Sequence, residues 1–183
     1  MQLGQMWLID YINKRYKDVQ FFFSVWCPPV IWKNNNQLNG GSLKTEHYGD
    51  YAKYLMDFID AYEQKLGIDV YALSGWNEPD VLASAGGWAT CSWDEDQMAK
   101  FTFSNLLPEM ERRGHGDMRL IYAENAQWAW ANIFINNSLT KYPKLADLNI
   151  AMAGHGYSTR DENIVAFSKA MEYNIPIWQT EIS

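Results

Sequence analysis

A chain of 183 residues can bury one good core and is most simply one domain. Its formal charge of −7 leaves no basic stripe to neutralise phosphates, which excludes a nucleic-acid groove. No apolar run approaches the roughly 18 residues that cross a bilayer, so no transmembrane segment is expected.

The chain opens on MQLGQMWLID, which has neither the basic start nor the clean apolar core of a signal peptide. It begins as if already inside a helix, which suggests a fragment. Residues 3–16 carry apolar positions at helical spacing, and VQFFFSVW at 19–26 reads as a dense apolar strand. A loop rich in Pro, Asn and Gly follows. Residues 48–66 return to helical period and are closed by Gly67. Next come a strand at 69–76, a long loop to Trp93, and a helix over 94–113 with Asp94 as N-cap. A strand at 118–125, a helix at 131–142, a strand at 148–157, a helix at 161–173 and a last strand at 176–183 complete the pattern. Continuous apolar strands alternating with helices predict a parallel sheet covered by helices. A doubly wound sheet and a (β/α)-barrel both satisfy that pattern. No glycine-rich phosphate loop follows any strand, which weakens the nucleotide-binding version.

Nine Trp and eleven Tyr are a heavy aromatic load. They serve a core, a site that stacks the flat faces of sugar rings, or both. Cys27 and Cys91 offer no metal-ligand spacing; they either pair in an oxidising compartment or remain two buried thiols. Asn136-Asn137-Ser138 matches a glycosylation acceptor, a motif too short to build on.

The strand ends carry most of the information. They read Ser24-Val25-Trp26, Trp76-Asn77-Glu78, Glu124-Asn125, His155-Gly156-Tyr157 and Thr180-Glu181. Polar and aromatic groups gather at the C-terminal end each time, and in a parallel barrel those ends meet on the face where active sites are built. Glu78 and Glu181 form the pair of interest. Two facing carboxylates suit glycoside hydrolysis: one protonates the leaving oxygen while the other attacks the sugar carbon or activates water.

Taken together, Asn77-Glu78-Pro79, His155-Gly156-Tyr157 and Trp178-Gln179-Thr180-Glu181 resemble the fourth, sixth and seventh strand ends of the clan A glycoside hydrolases. Ser24-Val25-Trp26-Cys27-Pro28-Pro29, the loop Asn39-Gly40-Gly41-Ser42-Leu43-Lys44, and Thr90-Cys91-Ser92-Trp93 narrow the resemblance to glycoside hydrolase family 30. That family includes xylanases, β-1,6-glucanases and glucosylceramidase-like enzymes. The resemblance implies a (β/α)8 TIM barrel acting by retention, of which residues 1–183 would supply about strands 3 to 7. Strands 1, 2 and 8 and any β-sandwich would lie outside them. Such a piece has open parallel edges and is expected to be unstable or to associate unless completed.

By the same resemblance Glu78 is the acid/base and Glu181 the nucleophile. Asn77 hydrogen-bonds the sugar 2-hydroxyl, Tyr157 holds the nucleophile, His155 joins the network around the acids, and Trp26 and Trp178 line the sugar platform. Glu124 is a structural network partner, Trp32, Trp88 and Trp93 are candidates for outer subsites, and Trp128 and Trp130 pack or touch substrate. Should Cys27 and Cys91 meet at the barrel mouth, a loop-tying disulfide becomes available. The resemblance implies a polysaccharide or oligosaccharide partner, no cofactor or metal, and a secreted or extracellular setting. Oligomeric state is not legible. Competing readings are a non-catalytic carbohydrate-binding fragment and an unrelated α/β hydrolase or lyase that uses the same carboxylates.

Overall fold

The computed structural model describes residues 4–84, 86–157, 160, 162 and 164–182. Five strands form one parallel sheet: β1 (Phe21–Ser24), β2 (Val70–Ser74), β3 (Arg119–Asn125), β4 (Ile150–Gly154) and β5 (Ile177–Gln179), hydrogen-bonded in the order of the sequence. A doubly wound sheet reverses its order at a switch point. Here each new strand adds to the same edge, which is barrel winding, and the result is a half-barrel with β1 and β5 as its edges.

The helices cover one face. α1 (Gln5–Arg15) precedes β1, and α2 (Tyr48–Leu66) crosses from β1 to β2. In α2, Tyr48, Tyr51, Ala52, Leu55, Met56 and Ile59 recur at helical spacing and are buried. The helix stops at Gly67, whose φ of 62° is costly for any residue with a Cβ.

The helix predicted over 94–113 is present, but it is divided into α3 (Glu95–Phe101), a π-turn over Thr102–Leu106, and α4 (Leu107–Arg113). Asp94 caps it as expected: Asp94 Oδ1 accepts the Gln97 amide at 2.8 Å and Gln97 Oε1 accepts the Asp94 amide at 3.0 Å. The wide turn sits ahead of Pro108, which has no amide proton and whose ring crowds the carbonyl four residues back.

α5 (Trp128–Lys141) begins three residues before the predicted helix. α6 (Ser168–Glu172) is far shorter than the helix expected over 161–173, of which 161 and 163 lie outside the described residues. The cause is tertiary. Trp128 Nε1 donates to the Val165 carbonyl at 2.8 Å, and Phe167 stacks on Trp128 with ring centroids 4.4 Å apart, so the approach to α6 is held against α5 as irregular chain.

The main core lies between sheet and helices. Its densest part is aromatic: Tyr48, Tyr51, Trp76, Trp93 and Phe101 meet edge-on, stacked or tilted. Trp93 is 4 % exposed, which corrects its reading as an outer-subsite residue: the loop that carries it folds inward and bonds its amide to the Pro79 carbonyl. The opposite face of the sheet is thin. Ala72, Ile121 and Ala153 form a small cluster there, with Tyr71 and Trp178 packed against it.

Candidate active site

β2 ends at Ser74, and the chain turns through Trp76-Asn77-Glu78-Pro79 at the C-terminal mouth of the sheet. Trp76 anchors the turn: its ring is buried, and Nε1 donates to the Ile121 carbonyl on β3 at 3.1 Å. The Asn77 amide donates to the Val25 carbonyl and the Glu78 amide to the Glu124 carbonyl, both at 3.1 Å. Neighbouring strands therefore hold the backbone on either side of the carboxylate. Three non-glycine residues here lie in the left-handed region: Glu78 (φ 50°), Ala123 (φ 76°) and Glu124 (φ 57°). Each costs on the order of 1 kcal/mol or more, and such strain concentrates where function demands a particular direction of chain.

Glu78, His155 and Glu181 converge. One carboxylate oxygen from each Glu and one ring nitrogen of His155 all lie within 4.8 Å of one another. His155 Nδ1 is 3.1 Å from Glu78 Oε1, and Tyr157 Oη donates to Glu181 Oε1 at 2.5 Å. Behind them, Glu124 is 1 % exposed; its Oε2 accepts the Ser24 hydroxyl at 2.7 Å, and its Oε1 lies 3.8 Å from His155 Nε2. Nε2 has no hydrogen-bond partner among the described residues, so the Glu124 carboxylate meets it as a charge. Burial pulls the imidazolium pKa down, but Glu124, Glu78 and Glu181 outweigh it and raise it from 6.5 to about 9. His155 thus stands among three glutamates that favour its protonated form.

A cavity of about 610 Å³ opens at this mouth, within the size range of small-ligand sites. Its lining includes Trp26, Glu78, Val81, Trp88, Gln127, Tyr157 and Glu181. Of the residues singled out from sequence, Trp26, Glu78, Tyr157 and Glu181 thus surround one space. His155 is fully buried behind it, and Asn77, 3 % exposed, faces Ser24 at 3.4 Å between Oδ1 and Oγ. Trp178 lies elsewhere: it stacks on Tyr71 at 5.9 Å, with the Arg119 guanidinium 5.7 Å from its ring centre, lower on the thin face of the sheet. Trp32 packs on His47 and Tyr54, Trp128 on Phe167, and Trp130 is exposed on α5. Asn136-Asn137-Ser138 is helical, with Ser138 buried.

Two residues escaped the sequence reading. Asp80 Oδ1 accepts the Ala126 amide at 2.9 Å, joining the loop after β2 to the end of β3, and burial raises its pKa. Lys33 is fully buried, and its Nζ donates to the carbonyls of Leu38 (2.9 Å) and Thr90 (2.7 Å) and to Cys27 Sγ (3.3 Å). Only the closure of two loops over this lysine shows its role, and a lysine in a polar loop gives no such signal. Both cysteines are free thiols; burial pushes that of Cys91 up to about 12.

Parallel strands wound in sequence, with carboxylates gathered at their C-terminal mouth, place the chain among proteins of the TIM-barrel type. The particular family follows from its sequence. Residues 1–181 match the model of O-Glycosyl hydrolase family 30, and the chain belongs to that family. Among solved structures it is similar to SrfJ from Salmonella typhimurium (24 % identity, TM-score 0.80), covering 94 % of this chain and 38 % of that one. It is also similar to an endo-beta1,6-glucanase (21 %, TM-score 0.81, 97 % and 40 %) and to a GH30 endoxylanase from Clostridium papyrosolvens (22 %, TM-score 0.73, 97 % and 42 %). The chain thus spans about two fifths of these relatives' length. No curated protein matches it.

Proposed function

We propose that this chain carries the catalytic centre of a retaining β-glycosidase acting outside the cytoplasm on a β-linked polysaccharide of the xylan or β-glucan type. The observation that carries the reading is the approach of the Glu78 and Glu181 oxygens to within 4.8 Å. So close an approach accords with the roughly 5 to 5.5 Å carboxyl separation of a double displacement better than with the roughly 6.5 to 9.5 Å of an inverting site. Glu181, held by the Tyr157 hydroxyl, attacks the sugar carbon as Glu78 passes its proton to the departing oxygen. Water, deprotonated by Glu78, then cleaves the glycosyl ester and frees Glu181. His155, donating to Glu78 Oε1, leaves Oε2 to carry the transferred proton.

A 2-fluoro-sugar with a good leaving group should add one glycosyl mass to the peptide containing Glu181. Glu78→Gln should lower turnover about a hundred- to ten-thousandfold. A label on another residue, or an active Glu181→Gln variant, would sink the assignment. A second reading of the aromatic-lined cavity is carbohydrate binding without turnover. Oligosaccharide affinity in a chain that hydrolyses no activated glycoside would establish it.

A further inference from the structure

We propose that Cys27 and Lys33 form a covalent oxygen-bridged cross-link, Sγ–O–Nζ, when the protein meets hydrogen peroxide. The pair then serves as a redox-sensitive fastening in the loop after β1, next to Trp26 at the cavity. The proposal stands whether or not the chain is a glycosidase. Lys33 is fully buried, and among the described residues its Nζ meets no carboxylate. Its protons go to the carbonyls of Leu38 (2.9 Å) and Thr90 (2.7 Å) and to Cys27 Sγ (3.3 Å). A buried ammonium without a counter-ion is costly, and a thiol sulfur is a weak acceptor for its last proton.

The sulfur is placed to react. Cys27 is half-buried, so a small oxidant reaches it, whereas Cys91 is buried. Cys27 Sγ donates to the Pro28 carbonyl at 3.1 Å, which turns its proton aside and leaves a sulfur lone pair for Nζ. Nor can the amine drift. The backbone of Lys33 bridges to Leu43 and its amide donates to the Val30 carbonyl at 3.1 Å, while the two carbonyls hold the far end of the side chain. A first peroxide converts the thiol to a sulfenic acid and leaves as water. A sulfenic acid is captured by whichever thiol or nitrogen stands beside it, and here that group is the Lys33 amine. A second peroxide completes the bridge. The sulfenic O–H bond and two N–H bonds of the ammonium break, the N–O bond forms, and two waters and one proton leave. Sulfur and nitrogen are oxidised and both peroxides are reduced. A nitrogen bound to oxygen is weakly basic, so the product also discharges the buried cation.

The test treats the unmodified chain, purified with its thiols reduced, with hydrogen peroxide and maps its tryptic peptides by mass. The peptide that carries both residues should gain one oxygen, lose two hydrogens and resist cleavage after Lys33. Cys27 should become closed to iodoacetamide while Cys91 still reacts once the chain is denatured, and dithiothreitol should restore the starting mass. The thermal midpoint should rise by a few degrees on treatment and fall back on reduction. Cys27→Ser, which keeps the lysine, and Lys33→Arg, which keeps the charge, should each abolish the mass change. The map of the unmodified chain decides the matter even if a variant fails to fold. Added oxygen alone, two hydrogens lost alone (a Cys27–Cys91 disulfide or a direct S–N bond), a change that survives in Lys33→Arg, or no change at all would overturn the cross-link.

Discussion

Two histidine–carboxylate clusters stand at different depths in this molecule. Between α2 and α4, His115 Nε2 lies 2.7 Å from Asp60 Oδ1, and Arg113 reaches Asp57, Asp60 and Glu109 from one guanidinium. At the strand mouth, His155 stands between Glu78 and Glu124 with Glu181 near. The ingredients are alike; the arginines are not. Arg112 and Arg113 neutralise the outer cluster and draw Glu109 down to about 2, at a partly exposed surface where helices need only be tied together. Among the described residues, the inner cluster takes its hydrogen bonds from His155, Ser24 and Tyr157 and none from arginine or lysine, so the imidazole faces three glutamates without one. Matched charge fastens elements, whereas unmatched buried charge shifts protons.

Three experiments press on that contrast. The largest effect is expected from Glu124→Ala, which removes a buried carboxylate from beside His155 and the acceptor of the Ser24 hydroxyl, and should cost about 3 kcal/mol in denaturant unfolding. Asp60→Ala in the outer cluster should cost less than about 1 kcal/mol. Equal losses would erase the distinction. Next comes pH. A histidine whose folded pKa of about 9 exceeds its unfolded 6.5 contributes stability that is fully present below about 6.5 and is lost as pH rises through 9. The thermal midpoint should therefore fall over that window, and His155→Asn should flatten the slope. A midpoint indifferent to pH between 6.5 and 9 would show His155 to be neutral. The smallest effect belongs to Arg113→Ala, whose modest loss of stability should shrink further in high salt because two of its partners, Asp57 and Asp60, are exposed.

The strand–helix alternation was legible because each strand is an apolar run and each helix keeps its own period. Glu78, His155, Tyr157 and Glu181 stood out because each follows a strand, and parallel strands of one sheet put such residues on one face. What escaped depends on contacts between elements. Periodicity at 161–173 suggested one long helix, but Trp128 and Phe167 hold the approach to α6 as irregular chain. Trp93 and Trp88 look equivalent in a loop, yet one completes an aromatic core and the other faces the cavity. Trp178 shares a strand end with Glu181 but packs on Tyr71, in keeping with the alternation of side chains along an extended chain.

The buried ammonium of Lys33 has a consequence in time rather than in shape. It joins the loop after β1 to the loop after β2 through Leu38 and Thr90, and the Gly40 amide to Thr90 Oγ1 and the Ser92 amide to the Gly41 carbonyl repeat the link. Segments tied at so many points open together or not at all. The amides of Gly40, Thr90 and Ser92 should exchange with deuterium at one common slow rate. Trp26 and Trp88, one on each of the joined segments, would then enter every encounter with a ligand as a single preset wall, with little ordering left to occur when the ligand arrives.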